Sequence, residues 1–189
     1  MKDKIKRISI FDLDGTFLDT YSSDNGKSLW KEKFGFDWPF KGWWGRAESL
    51  DSRIYFQKNP DAHIKGLDEN IFEANPITKT VSSYGEEISK PDTKVILLTG
   101  RHLGVGKLVT KLLNDKGFKF DDYIYKTGNL DTADFKLEIF DKIIAEYPDL
   151  EEITIWEDRD EHVDIFNEWA WLPRLDLKIT IHHITDAVN

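Results

Sequence analysis

Five short apolar runs constrain this chain more than any other feature. They cover about Ile5 to Asp12, Val95 to Leu98, Tyr123 to Tyr125, Ile153 to Trp156 and Leu177 to Ile181. Each is too short for a stable helix and rich in β-branched or aromatic residues, so each reads as a buried strand. Helical patterns fall between them. A helix over Thr78 to Ser89 is stopped by Pro91. Val105, Leu108, Val109, Leu112 and Leu113 share one helical face, and Gly117 suits its C-terminal cap. Asp131 or Thr132 starts a further helix with Phe140, Ile143, Ile144 and Tyr147 inward and Pro148 beyond its end. A last helix covers roughly Glu161 to Trp169. Strands that alternate with helices imply an α/β fold, a parallel sheet covered by helices on both faces.

In such sheets ligands bind outside the carboxyl ends of the strands. Three of the runs end there in reactive residues: Asp12-Leu13-Asp14-Gly15-Thr16, Thr99-Gly100-Arg101 and Glu157-Asp158-Arg159. Residues two apart on an extended strand point to one side. Asp12 and Asp14 therefore repel unless a cation or a shared proton joins them. Gly15 permits an immediate turn, and Thr16 adds a hydroxyl. The pattern suits a carboxylate nucleophile with an acid–base partner and a metal ion.

Residues 21–75 break the alternation. They carry Gly26, Gly35, Pro39, Gly42, Gly45, Pro60 and Gly66 as turn signals and show no clean period. They also hold Trp30, Phe34, Phe36, Trp38, Phe40, Trp43, Trp44, Tyr55 and Phe56. This reads as an insertion with its own aromatic core, expected to lie over the carboxyl end of the sheet and restrict access to Asp12. Adjacent residues do not easily face one interior, so one of Trp43 and Trp44 is expected to be exposed.

The chain of 189 residues suits one domain. It has no cysteine, which removes disulfides and thiolate chemistry, and no apolar run long enough to span a membrane. The basic start leads straight into the first strand and does not read as a signal peptide, so a cytoplasmic setting is expected. The net charge of −9 argues against a broad basic surface for nucleic acid. The acidity is concentrated: residues 121–164 hold 15 acidic and 4 basic side chains.

The motifs as a set resemble the haloacid dehalogenase (HAD) superfamily. Phe11-Asp12-Leu13-Asp14-Gly15-Thr16 is similar to its first motif, Leu97-Leu98-Thr99-Gly100-Arg101 to its second, Lys136 to the lysine of its third, and Trp156-Glu157-Asp158-Arg159 to its fourth. The resemblance implies a Rossmann-like sheet spanning residues 1–189, with residues 21–75 as a flap- or cap-like insertion. It implies Asp12 as nucleophile, Asp14 as acid–base, Thr99 on the phosphoryl oxygens and Lys136 as neutralising cation, with Lys126 as its rival. It implies Mg²⁺ held by the Asp12 and Asp158 carboxylates and the Asp14 backbone carbonyl. At the place where many relatives carry a further aspartate stands His162, read as a helix-surface residue; Glu157 and Asp160 compete for the second acidic role.

Thr-Gly-Arg followed later by an acidic-Asp-Arg triplet is similar to the phosphatase domain of polynucleotide kinase–phosphatases. Leu29-Trp30, Gly42-Trp43-Trp44, Thr132 to Lys136 and Glu157-Asp158-Arg159 with His162 resemble the HAD domains of "Swiss Army Knife" RNA-repair proteins. The expected activity is that of a Mg²⁺-dependent phosphatase on a polynucleotide terminal phosphate, preferentially 3′, or on a nucleotide. Gly100, Arg101, Trp43 and Trp44 are the expected substrate contacts. The alternatives are a phosphatase for small metabolites and a non-catalytic scaffold that binds a partner.

Overall fold

The computed structural model describes residues 4–62, 69–172 and 176–186. The chain opens with strand β1 (Arg7–Phe11), then a short β2 (Leu18–Asp19), helix α1 (Ser23–Phe34), helix α2 (Arg53–Lys58) and a short β3 (Asn75–Pro76). There follow α3 (Thr78–Ser89), β4 (Thr93–His102), α4 (Gly106–Asp115), β5 (Asp122–Lys126), α5 (Thr132–Glu146), β6 (Glu152–Glu157), α6 (Asp160–Ala170) and β7 (Lys178–His183). Among the described residues the main sheet has the order β5-β4-β1-β6-β7, every neighbouring pair parallel. The Rossmann-like α/β fold expected from the alternation is present. β1 is central, with β4 on one side and β6 on the other. The chain therefore changes direction around β1, and ligands collect at such a switch point.

The period of two decides which side chains meet which helices. Ile8 and Ile10 of β1, Ile96 and Leu98 of β4, and Ile153 and Ile155 of β6 pack on Phe140, Ile143, Phe166 and Trp169 of α5 and α6. Phe11, Val95, Leu97 and Trp156 face the other way, toward Tyr84 of α3 and Val109 and Leu113 of α4. Phe11 and Trp156 stack at 4.1 Å and 7°. That geometry adds about 0.5–1.5 kcal/mol to the area they bury. Continuing the count past each strand predicts where the polar ends go. Asp12 and Glu157 keep the parity of the α5/α6 face. Arg101 keeps the parity of the α3/α4 face.

β2 and β3 pair antiparallel and close the neck of the insertion. Inside it Trp30, Phe34, Trp43, Phe56 and Phe72 form a separate core. Trp30 lies at its centre, fully buried, ringed by Phe34, Trp38 and Tyr55 edge-on and by Phe56 stacked at 5.9 Å. The segment read as irregular contains a regular helix, α1. Ser22 caps it by accepting from the Asn25 amide at 3.2 Å. Its inward residues Gly26, Trp30 and Phe34 recur every four positions. Gly66, one of the turn signals of this segment, lies outside the described residues.

Candidate active site

After β1 the chain turns at once. The amides of Phe17 and Leu18 both donate to the Leu13 carbonyl, at 3.0 and 2.8 Å, and Gly15 takes φ +71°. A Cβ at Gly15 would stand 2.3 Å from Asp158 Oδ2, so close approach as well as backbone conformation demands glycine. The turn thus seats the Asp14–Gly15 peptide directly against the Asp158 carboxylate. Thr16 Oγ1 donates to the other oxygen of Asp158 at 3.0 Å.

Asp12 meets Lys136 on the α5/α6 face. Lys136 stands in the second turn of α5 and is 3 % exposed, with its Nζ 2.8 Å from Asp12 Oδ1 and 2.6 Å from Glu157 Oε2. The rival Lys126 instead donates to Thr132 Oγ1 at 3.3 Å. Glu157 also accepts from the Arg159 amide at 3.3 Å. His162, expected on the helix surface, is buried. Its Nδ1 lies 3.3 Å from Glu157 Oε1, close enough for charge pairing but out of line for a hydrogen bond. The reason is its helical period: His162, Phe166 and Trp169 share the inward stripe of α6. Asp160 is outside the cluster; its exposed carboxylate pairs with His183.

Asp14 meets a different cation. Arg101 donates through Nε and Nη2 to Asp14, at 2.7–3.0 Å, and Thr20 Oγ1 adds a bond to Oδ1 at 2.7 Å. The Arg101 side chain is fully buried. Its Nη1 donates to Ser49 of the insertion at 2.9 Å, and the Trp44 ring lies over its guanidinium at 5.3 Å. Thr99 is also fully buried, and its hydroxyl oxygen accepts the Arg101 amide at 3.1 Å. Ser49 and Thr20 carry no signal in the sequence that would single them out.

A cleft of about 240 Å³ opens over this floor; its lining includes Asp12, Asp14, Gly100, Arg101, Lys136 and Asp158, with Trp44 and Ser22 on the insertion side. The expected contact Trp43 is not at the cleft. It is 2 % exposed, and its Nε1 donates to the Tyr21 carbonyl inside the aromatic core, so it has no free face to stack. Trp44 is the exposed member of the pair, 40 % accessible.

The charges do not balance. Ligand atoms of Asp12, Glu157 and Asp158 lie within 4.8 Å of one another, against one lysine. Burial pushes the Asp12 carboxyl well above its ordinary range; Lys136 opposes the shift, and Glu157 and Asp158 add to it. Burial and then the Glu157 charge push Asp158 up to about 7. Burial would also raise Glu157, but Lys136 and His162 bring it down to about 2. Burial works to lower Lys136, and the Asp12 and Glu157 carboxylates outweigh it, so the ammonium is held above its usual value. The excess negative charge and all-oxygen donor set fit a hard divalent cation. Asp12 and Asp158, which line the cleft, would hold it, whereas Glu157 is buried beneath them and does not line the cleft.

Known proteins share the fold and identify the family. The HAD domain of effector protein Lem4 from Legionella pneumophila shares the fold, with a TM-score of 0.50 at 14 % identity, over 98 % of this chain and 90 % of that one. The model for HAD domain family 1 in Swiss Army Knife RNA repair proteins matches residues 36–185. That stretch takes in most of the insertion and the last three of the four motifs, and the chain belongs to this HAD family.

Proposed function

We propose that this chain is a phosphomonoester hydrolase that carries the phosphoryl group on Asp12 and acts on the terminal phosphate of a polynucleotide, preferentially a 3′-phosphate, or on a nucleotide. The observation that carries the hydrolase reading is Lys136, buried and bonded to both Asp12 and Glu157 at the carboxyl ends of β1 and β6. A lysine so placed keeps the nucleophile aimed and offsets the charge that gathers on the phosphoryl oxygens. In the first step an Asp12 oxygen attacks phosphorus while the ester P–O bond breaks. Asp14 gives its proton to the departing oxygen, which leaves as an alcohol. In the second step Asp14 takes a proton from water as the water oxygen bonds to phosphorus and the Asp12–phosphorus bond breaks. Inorganic phosphate leaves, and both aspartates return to their starting states. Mg²⁺, which Asp12, Asp158 and the Asp14 carbonyl would hold, would supply charge neutralisation on the phosphoryl group.

The substrate class rests on size and on one ring. A cleft of about 240 Å³ holds a phosphate and part of a sugar, less than a drug-sized ligand fills. The rest of the substrate must stay outside, where Trp44 offers an open aromatic edge at the rim. Base stacking on such a ring is tolerant of sequence and worth about 1–3 kcal/mol. Lys41, exposed, and Arg46, half-buried, flank it in the sequence. The overall acidity limits the contact to the last few nucleotides. A panel of 3′- and 5′-phosphorylated oligonucleotides, nucleotides and sugar phosphates tests the proposal. Faster phosphate release from 3′-phosphorylated oligonucleotides is expected, and a clear preference for a sugar phosphate over every oligonucleotide would overturn the substrate assignment.

A further inference from the structure

We infer that Arg101 is a positioning residue for Asp14, and that the insertion acts on the chemistry through it. The inference rests on the phosphatase reading above and concerns what makes Asp14 competent. An arginine after the second strand looks free to grip a phosphate with its planar fork. Here the fork is already used. Nε and Nη2 are both directed at Asp14, Nη1 at Ser49, and none of the side chain reaches solvent. A phosphate would have to displace the Asp14 carboxylate, itself half-buried, to reach it, leaving that carboxylate without its cation.

The hydrogen bonds also discriminate between the two Asp14 oxygens. A carboxylate oxygen has two lone pairs. Oδ1 accepts from Thr20 Oγ1 and from Arg101 Nη2, both at 2.7 Å, which fills it. Oδ2 accepts only a share of Arg101 Nε, at 2.9 Å. Oδ2 therefore keeps a free lone pair, and it is the oxygen that carries the catalytic proton. Two residues of the insertion hold the guanidinium in place: Ser49 accepts from Nη1 and the Trp44 ring covers it. Thr99 fixes the backbone beneath. Arg101 thus ties the insertion to the acid–base group: although it borders the cleft, its donors are already directed at Asp14 and Ser49.

Leaving groups separate this role from phosphate binding. An aryl phosphate expels a stable phenolate and needs little protonation, whereas an alkyl phosphate needs a full proton from Asp14. Single-turnover kinetics of the first step, read as release of the leaving group from wild type, Arg101→Met and Ser49→Ala with one substrate of each kind, test the inference. Arg101→Met is expected to lose about 10²-fold or more in alcohol release from the alkyl phosphate and less than about 10-fold in phenol release from the aryl phosphate, while breakdown of the phosphorylated enzyme slows alike for both. Ser49→Ala is expected to lose in the same direction and less. Retained phenol release shows that the variants are folded. Equal first-step losses on both substrates with a raised KM would make Arg101 a phosphate ligand and overturn the inference. If Arg101→Met is too unstable to assay, Ser49→Ala decides alone by the same ratio. A wild type that hydrolyses no phosphomonoester would overturn the phosphatase reading itself, a result distinct from equal losses in an active enzyme.

Discussion

The two faces of the sheet each send one cation to one aspartate, and they hold it by different means. On the α5/α6 face Lys136 reaches Asp12 from a helix packed on aliphatic strand residues, and Glu157 of β6 anchors it. Lys136 and Glu157 come from regular elements of the main domain, and Asp12 directly follows β1. On the other face Arg101 reaches Asp14 only with support from the insertion, through Ser49 and Trp44. On the proposed mechanism the sheet holds the nucleophile Asp12, whereas the junction of sheet and insertion holds its acid–base partner Asp14.

Removing the sheet's cation is the hardest test of this division. Lys136→Met is expected to cost about 10³-fold in kcat on aryl and alkyl phosphates alike, because it disarms the step common to both. Steady-state rates check it, and a loss confined to alkyl phosphates would erase the distinction between the faces. Inside the insertion, Trp43→Ala removes a buried ring and should lower stability by about 3–5 kcal/mol, read from denaturant midpoints. Trp44→Ala should leave stability within about 1 kcal/mol and raise KM for an oligonucleotide by about 10-fold while sparing KM for an aryl phosphate; because the ring also covers Arg101, kcat on the oligonucleotide should fall as it does in Ser49→Ala. Equal effects from the two tryptophans would show that the insertion has no division between core and rim.

The metal side of the comparison has a pH signature. Asp158 has a folded pKa of about 7, above its unfolded value of about 4. The folded state holds that proton more tightly, so the metal-free protein should lose stability as pH climbs from about 4 to about 7. A cation must displace the same proton. Apparent Mg²⁺ affinity should rise up to about 10-fold per pH unit below 7 and level off above it. Calorimetry in buffers of different ionisation heat would detect the released proton, and a flat affinity between pH 5.5 and 7.5 would contradict the assignment of Asp158. The smallest effect is expected from salt: rates on 3′-phosphorylated oligonucleotides should fall only gently, as for a contact of a few phosphates.

The regular elements were legible because their periods are unambiguous. The helix over Thr78 to Ser89, the Asp131 cap and the acidic end of β6 stand where pattern and punctuation put them. α1 was hidden by Gly26, read as a turn signal. The glycine is there because the Trp43 ring occupies the space of its side chain; a Cβ would meet the ring at 2.1 Å. That contact joins residues 17 positions apart and leaves no local trace. His162 was legible in principle, since it shares a stripe with Phe166 and Trp169, but a lone histidine on a short helix was read as solvated. Arg101 stands at the strand end that the pattern gives it, but its bond to Ser49 has no local trace in the sequence. The four-motif constellation carried the site, and the support beneath it came from contacts between distant segments.

The most direct test of the central claim is whether phosphate passes through Asp12. Wild type, Asp12→Asn and Asp14→Asn are mixed with an aryl phosphate and Mg²⁺, quenched in acid and measured by intact mass. Asp14→Asn should accumulate a hydroxylamine-sensitive phosphoryl adduct, since it forms the intermediate but lacks the base that breaks it down. Asp12→Asn should show neither adduct nor turnover while keeping a native far-UV spectrum. Near-wild-type turnover by Asp12→Asn, or an adduct on that variant, would contradict the account.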